Sequence, residues 1–174
     1  WSSDVKLTAS GKGSLYYLIQ SEGIPISGLN RQEDQILRVR RQLLTRDGQP
    51  VNTNNLHTND LLVVKITLST TDNSLMDNII ITDLLPACFE AENTRLTTGR
   101  DINWAKEQAQ PDHLDFRDDR INIFASIKNT GPLQFYYMVR VINPGDFTWG
   151  SVGAVAMYNG FYYSYADHTT LKVK

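Results

Sequence analysis

Two short segments of the chain carry the residue types that acid–base or metal chemistry requires. The first, Asp112-His113-Leu114-Asp115, offers two carboxylates and an imidazole, which are groups that metal ions accept as ligands. On an extended strand His113 and Asp115 share one face and Asp112 points to the other. We therefore favour a polar strand end over a metal site.

The second segment, Arg117-Asp118-Asp119-Arg120, contains adjacent carboxylates that could act as a general acid and a general base. That chemistry needs a cleft and two differently tuned environments. Strand-like sequence flanks the segment closely on both sides, which favours a tight turn in which an Asp caps the backbone and Arg120 pairs with a carboxylate. The alternative, a hydrolase, would use Asp112, His113, Asp118 and Asp119.

Cys88 is the single cysteine of the chain and lies in an apolar setting, between Pro86-Ala87 and Phe89. A catalytic cysteine needs a positioned base and an electropositive niche, and the sequence indicates neither, so we interpret Cys88 as a small buried hydrophobe. The sequence also lacks the common phosphate, dinucleotide, zinc-protease, dithiol and serine-hydrolase motifs. We expect no catalytic residue, no metal and no cofactor.

Charge and hydropathy argue against two classes of partner. The 174 residues carry 17 basic and 19 acidic side chains, a net charge of −2 without long blocks of either sign. This balance is not that of a surface for nucleic acid or for anionic membranes. The longest apolar run, around Leu61-Leu62-Val63-Val64, is much shorter than the ~20 residues of a membrane-spanning helix. A chain of this length can bury a core without disulfides or metals.

Short β-branched or aromatic runs, separated by turn signals such as Asp47-Gly48, are the dominant pattern. The run 63–68 alternates between two faces, and so does the run 120–127, with Phe124 as the exception. This pattern predicts an all-β fold, an antiparallel β-sandwich. The predicted strands are 15–19, 36–43, 61–68, 78–83, 114–116, 120–127, 134–142 and 171–173. The single segment compatible with a short helix is 100–108.

A polar segment at Ser27-Gly28-Leu29-Asn30 separates two unequal parts of the chain. Residues 1–26, before this segment, offer one or two strands, with Tyr16 or Tyr17 facing inward, and cannot bury a core alone. We interpret residues 1–30 as the tail of a preceding CUB-like region or a linker strand, or as an edge added to the main sheet, and residues 31–174 as the main domain. The start at Trp1, without a leader, leads us to expect a piece of a longer protein.

The stretch AMYNGFYYSY, residues 156–165, has the highest density of aromatic side chains. Asn159-Gly160 signals a turn, so we predict Met157 and Tyr158 at a loop tip, followed by a strand with alternating inward aromatics. Adaptable Met and amphipathic Tyr suit contact with another surface, and a loop folded over its own core fits the composition equally well. A third interpretation is an adhesin-like or carbohydrate-binding module that stacks its ligand on Tyr158, Tyr162, Tyr163 and Tyr165.

Five segments are specific in their order and spacing: VRRQLLTRDGQPV, LHTNDLLVVKITLS, IIITDLLPACFEAENTRL, PDHLDFRDDRINIFA and FYYMVRVINPGDFTWGSVGAVAMYNG. Together they resemble the C-terminal macroglobulin-like domain of bacterial alpha-2-macroglobulins, over roughly residues 37–165. The resemblance implies a sandwich of the immunoglobulin or fibronectin kind. The upstream GSLYYLIQSEGIP is similar to the family's strand that returns from the thioester domain, through the CUB-like domain, into this last domain.

The resemblance also implies a function. These proteins are periplasmic protease traps, often lipid-anchored to the inner membrane, in which cleavage of a bait region triggers a rearrangement. In many members a Cys–Gln thioester then captures the protease covalently. The implied partners are the thioester domain and neighbouring macroglobulin-like domains of the same chain, and target proteases through the full-length protein. The Cys-x-Glu-Gln motif is not in this sequence.

In the family, a Met-Tyr pair on a loop of this domain shields the thioester from water before activation. Met157 and Tyr158 match that pair by position, and the resemblance implies that they form an interdomain lock. The family usually continues with Pro and charged residues, whereas this chain continues with Asn159-Gly160-Phe161.

Overall fold

Twelve β-strands and no helix make up the regular structure in the computed structural model, which describes residues 6–20, 32–92, 102, 104–105 and 107–174. The strands are β1 Glu33–Gln35, β2 Leu37–Leu44, β3 Leu61–Thr70, β4 Met76–Leu84, β5 Phe89–Glu92, β6 His113–Phe116, β7 Arg120–Ile127, β8 Leu133–Val141, β9 Gly145–Trp149, β10 Gly153–Ala156, β11 Asn159–Tyr165 and β12 Thr169–Val173. In this part of the chain no helix is long and apolar enough to cross a membrane.

The strands form two facing sheets and a smaller ribbon, with every pairing between strands antiparallel. The six-stranded sheet has the order β1-β11-β10-β4-β7-β6, and the four-stranded sheet has the order β2-β3-β8-β5. Strands β12 and β9 form the ribbon. The predicted antiparallel β-sandwich is confirmed.

Period-two alternation determines which side chains enter the core between the sheets. Ile121, Ile123, Ala125 and Ile127 are at most 2% exposed and form one face of β7, as the sequence predicts. Val64, Ile66 and Leu68 of β3 are fully buried in the same core. Both sheets therefore contribute apolar side chains to one shared core.

A second, small cluster lies on the outer face of the four-stranded sheet and corrects one expectation. The alternation of residues 63–68 predicts one wet face of β3, formed by Val63, Lys65 and Thr67. Val63 is nevertheless buried together with Leu44 and Met138. Trp104 packs against this cluster and meets the ring of Tyr136 edge-on, at 5.5 Å between centroids. The alternation is intact, and a loop covers the outer side chains at this place.

Trp104 lies in the segment 100–108, which the sequence allows to form a short helix. Its Nε1–H donates to the Arg46 carbonyl at 2.7 Å, and its ring lies over Gly48, where a Cβ atom would stand 2.9 Å from it. Residues 102, 104, 105, 107 and 108 carry no helix, and the others of this segment lie outside the described residues. The described residues of this segment therefore form no helix. The indole ring of Trp104 instead covers the turn after β2.

Two further predictions are wrong. Residues 15–19 form no strand, and Tyr16 and Tyr17 are 91% and 69% exposed, so neither faces a core in this structure. The Gly-rich, small-residue segment 150–156 predicts an irregular or edge-like structure, but its strand β10 lies inside the six-stranded sheet, between β11 and β4. Ala154 and Ala156 are buried there, where Cα atoms of β10 and of β2 in the facing sheet lie within 8 Å of each other.

Candidate functional site

Met157 and Tyr158 form the two-residue tip of the hairpin between β10 and β11. Ala156 pairs with Asn159 on either side of them, so the predicted loop tip is confirmed, with its turn two residues earlier than Asn159-Gly160. Met157 is 47% exposed and Tyr158 is 83% exposed. The alternative in which this loop folds back over its own core is wrong.

The backbone of this tip is held on both sides. The Met157 N–H donates to the Asn78 carbonyl of β4 at 2.9 Å, and the Asn159 side-chain oxygen accepts from the Phe161 N–H at 3.2 Å. A register shift on β11 follows, and Phe161 is 80% exposed. The tip therefore presents apolar side chains from a fixed backbone.

An apolar row crosses the outer face of the six-stranded sheet next to this hairpin. Phe124 of β7 pairs with Ile80 of β4, Ile80 pairs with Val155 of β10, and Val155 pairs with Tyr163 of β11. All four side chains are half-buried and point to the outer face of the sheet, because their neighbours along each strand point inward. Val155, the member of the row on β10, lies two residues before Met157.

The four tyrosines of the proposed stacking platform do not share a surface. In β11 the positions Tyr162 and Ser164 face inward, with Tyr162 packed against the core. Tyr163 and Tyr165 face outward with ring centroids 5.6 Å apart, and the Tyr163 hydroxyl donates to Glu33. The predicted strand is confirmed, but only one of its aromatics is inward, and no observation supports a glycan platform.

A buried ion pair links the two sheets near the end of β4 that lies away from the hairpin tip. Arg41 of β2 and Asp83 of β4 are 4% and 1% exposed and lie 2.5 Å apart, and the Tyr137 hydroxyl donates to Asp83 at 2.7 Å. The Arg41 guanidinium lies 3.6 Å from the centroid of the Trp149 ring and donates to the Gly150 carbonyl at 2.8 Å. The pair thus fixes the chain that leads into β10.

Sequence reasoning missed this pair, although a signal was present. Arg41 follows Leu37 and Val39 at the inward positions of β2, and Asp83 follows Ile79 and Ile81 at those of β4. Two opposite charges at inward positions of facing strands indicate a buried pair. Burial, with the neighbouring Asp83 carboxylate, raises the pKa of the Tyr137 hydroxyl well above its usual value, so this hydroxyl stays a donor.

The acidic segments form the turn and strand end predicted for them. Asp118 and Asp119 are exposed in the turn between β6 and β7, and Arg120 pairs with Asp119. Asp112 accepts a hydrogen bond from Ser126 at 2.7 Å, and the His113 ring lies against Phe124. In the described residues no three His, Cys, Asp or Glu side chains are placed to hold a metal ion.

A shallow groove of about 410 Å³ runs along the edge strands β5 and β6 and includes Asp118 among its lining residues. Of the residues named for a hydrolase, Asp112, His113 and Asp119 do not line it. The hydrolase hypothesis therefore lacks the shared cleft that it requires.

Cys88 is fully buried, and burial raises the pKa of its thiol to about 11. The thiol therefore stays protonated at neutral pH, because the thiolate is disfavoured away from water. The interpretation of Cys88 as a small buried hydrophobe is confirmed.

Comparison with known proteins connects this fold and hairpin to one family. The family model described as "Bacterial Alpha-2-macroglobulin MG10 domain" matches residues 37–160, which include the four-stranded sheet, most of the six-stranded sheet and the Met157–Tyr158 tip. This chain belongs to the bacterial alpha-2-macroglobulin MG10 domain family. The resemblance seen in the five sequence segments is confirmed.

Named relatives agree with this MG10 assignment. An alpha-2-macroglobulin of Xylella fastidiosa (strain Temecula1) is 30% identical over 155 residues, and the match covers 82% of this chain and 9% of the relative. The alpha-2-macroglobulin of Escherichia coli K12 is 27% identical over 154 residues, with the same coverage. This chain therefore spans about a tenth of the length of these relatives.

Solved structures show the same architecture. The Salmonella alpha-2-macroglobulin reacted with methylamine superposes with a TM-score of 0.76 at 26% identity, over 85% of this chain and 10% of that one. The native E. coli protein, from domain MG7 to its C-terminus, matches with a TM-score of 0.71 at 23% identity, over 82% of this chain and 24% of that one. The latter likeness supports the fold alone.

Proposed function

We propose that this MG10 domain is a non-catalytic docking domain of a bacterial alpha-2-macroglobulin-like protease trap, and that its Met157–Tyr158 tip contacts and shields the thioester domain of the same protein. The observation that carries the proposal is the tip itself. Two apolar side chains, 47% and 83% exposed, stand on a backbone that is bonded to β4. Such side chains gain from burial against a partner surface.

The chemistry of shielding is simple. A thioester is lost when water or an amine attacks its carbonyl carbon, so an apolar cover that excludes these nucleophiles slows the loss. A two-residue tip covers a small area and therefore separates easily when the protein rearranges. The Salmonella relative reacted with methylamine makes this small amine a suitable probe.

The wider partners follow from the same proposal. The apolar row formed by Phe124, Ile80, Val155 and Tyr163 offers a second surface to the thioester domain or to neighbouring macroglobulin-like domains. The exposed apolar side chains of residues 15–19 belong to the connection with the preceding CUB-like region. The full-length protein acts in the periplasm, where it traps target proteases.

The test uses a full-length protein that contains this chain and a Cys-x-Glu-Gln thioester. Replacing both tip residues, M157A with Y158A, should speed thioester loss to methylamine by at least about tenfold, which corresponds to ~1.4 kcal/mol of barrier. The measurement is the rate at which free thiol appears after methylamine addition.

The matched control is L84A, because Leu84 is 46% exposed and lies at the opposite end of β4. This control should leave the rate unchanged. An unchanged rate in the M157A/Y158A protein, with its melting temperature preserved, would contradict the shielding role.

A further inference from the structure

Strand β4 is irregular at the place where it meets the hairpin tip. Between the pairs Met76–Ile127 and Ile79–Ala125 it carries one residue more than β7, which is the geometry of a β-bulge. Asn78 lies in this bulge with φ 57°, in the left-handed region. Asparagine enters that region far more readily than other non-glycine residues.

The bulge and the tip are in direct contact. Strand β10 pairs with β4 up to Ala156 and Ile79, and the next hydrogen bond is the one from Met157 N–H to the Asn78 carbonyl, 2.9 Å long. The place of that carbonyl depends on the φ of Asn78. A residue that disfavours the left-handed conformation would shift this carbonyl, which accepts the hydrogen bond from the Met157 N–H.

On its other side the tip has a weaker support. The Asn159 side chain accepts from Phe161 N–H at 3.2 Å, and β11 then runs through three unpaired positions, 160–162, before Tyr163 pairs with Val155. The regular ladder therefore holds the tip through β4, and its last hydrogen bond ends on Asn78.

We propose that Asn78 is a positioning residue, whose left-handed backbone fixes the place of the Met157–Tyr158 tip and thereby its contact with the thioester domain. The part that concerns this contact rests on the function proposed above. Asn78 itself touches no reacting atom, and its side chain is exposed, so the inference concerns backbone conformation and not side-chain chemistry.

Asn73 provides a matched control in the same chain. Asn73 also has a left-handed backbone, with φ 60°, and it is exposed in the turn before β4. The Met157 amide, however, donates to Asn78 and not to Asn73. A substitution at Asn73 therefore carries the same conformational cost without moving the tip. Glycine at position 78 retains the left-handed region and serves as the rescue variant.

The first measurement is hydrogen–deuterium exchange of the Met157 amide in the full-length protein, read on the peptide that contains it. N78V should speed this exchange by at least about fivefold, whereas N78G and N73V should stay close to the parent. Equal exchange in N78V and N73V, with both proteins folded, would overturn the inference.

The second measurement is thioester loss to methylamine, and it separates the two proposals. Faster loss in N78V and in M157A/Y158A supports both. Faster loss in M157A/Y158A alone, with N78V like the parent, overturns the role of Asn78 and leaves the shielding function intact. Unchanged loss in all variants, with faster exchange in N78V, overturns the shielding function and limits Asn78 to holding the hairpin.

Discussion

Arg41 and Asp83 are charged side chains that strand alternation places inside the sandwich, where an unpaired charge is costly. The structure offsets this cost with several contacts at once, from the ion pair itself to the Tyr137 hydroxyl and the Trp149 ring. Trp149 is tied in turn by its Nε1–H, which donates to the Leu84 carbonyl at 3.0 Å. One buried pair therefore connects β2, β4, β8 and the end of β9.

Removing one partner of this pair should destabilise the domain strongly. D83L leaves the Arg41 guanidinium buried without its carboxylate, and we expect a loss of about 3–5 kcal/mol in the free energy of unfolding. R41M should cost a similar amount, and the R41M/D83L double variant should cost clearly less than the two losses added together. Urea denaturation measures all three, and a loss below ~1 kcal/mol in D83L would contradict this account.

At the scale of elements, β1 and β2 behave as one strand that changes sheets. Glu33–Gln35 pairs in the six-stranded sheet and Leu37–Leu44 in the four-stranded sheet, and Ile36 between them has φ 65°, which is unusual for a β-branched residue. Ser164 of β11 sits at this crossing, where it donates to Asp34 at 2.7 Å and accepts from the Val39 N–H at 3.0 Å. The polar link fixes one corner of the sandwich.

The Asp34 carboxyl should make this corner pH-dependent. Hydrogen bonds from Arg40, and then from Ser164, hold the pKa of Asp34 below its usual value. A lowered folded-state pKa contributes stability that is present above the unfolded pKa of about 3.9 and is lost as the pH falls through the folded value. D34N should therefore cost about 1 kcal/mol at pH 7, and less at pH 3, below the unfolded pKa.

Denaturation midpoints at pH 7 and pH 3 check the Asp34 prediction. D118N, at an exposed residue of the β6–β7 turn, is the control and should change stability little at either pH. A D34N deficit of the same size at both values would show that packing, and not the charge, accounts for the effect.

At the scale of the whole molecule, the ribbon of β9 and β12 closes one end of the sandwich. Leu171 is fully buried in the main core, and Leu56 forms a parallel bridge to Val173. The long segment between β2 and β3 therefore packs on the last strand of the chain. Residues near the C-terminus belong to the core as fully as those of the two large sheets.

Truncating Leu171 should therefore be costly. We expect L171A to lower the free energy of unfolding by about 2–5 kcal/mol, because it removes buried methyl groups and leaves a cavity. L75A removes the same atoms at a side chain that is 62% exposed, and it should cost less than ~1 kcal/mol. Similar losses for both variants in urea denaturation would mean that the ribbon does not belong to the cooperative core.

Sequence reasoning succeeded where a signal was local and failed where a contact was distant. Alternation identified the buried face of β7, and Met157-Tyr158 was correctly placed at a tip. It missed β1, β5, β9 and β10, which are short or rich in Gly and Ala and carry no period of their own. It also predicted a strand at 15–19 from β propensity, which reflects how well side chains fit a sheet. No described strand pairs with these residues, so the prediction failed.

The amino-acid sequence by itself determined the all-β class, the inward faces of the long strands and the tip position of Met157 and Tyr158. These depend on a period of two and on turn residues, which act over a few positions. Only the tertiary structure decided that Arg41 meets Asp83, that Trp104 covers Val63, and that Asn78 receives the Met157 amide. Each of these contacts joins residues far apart in the chain, and strand order and sheet packing, not local propensity, choose such partners.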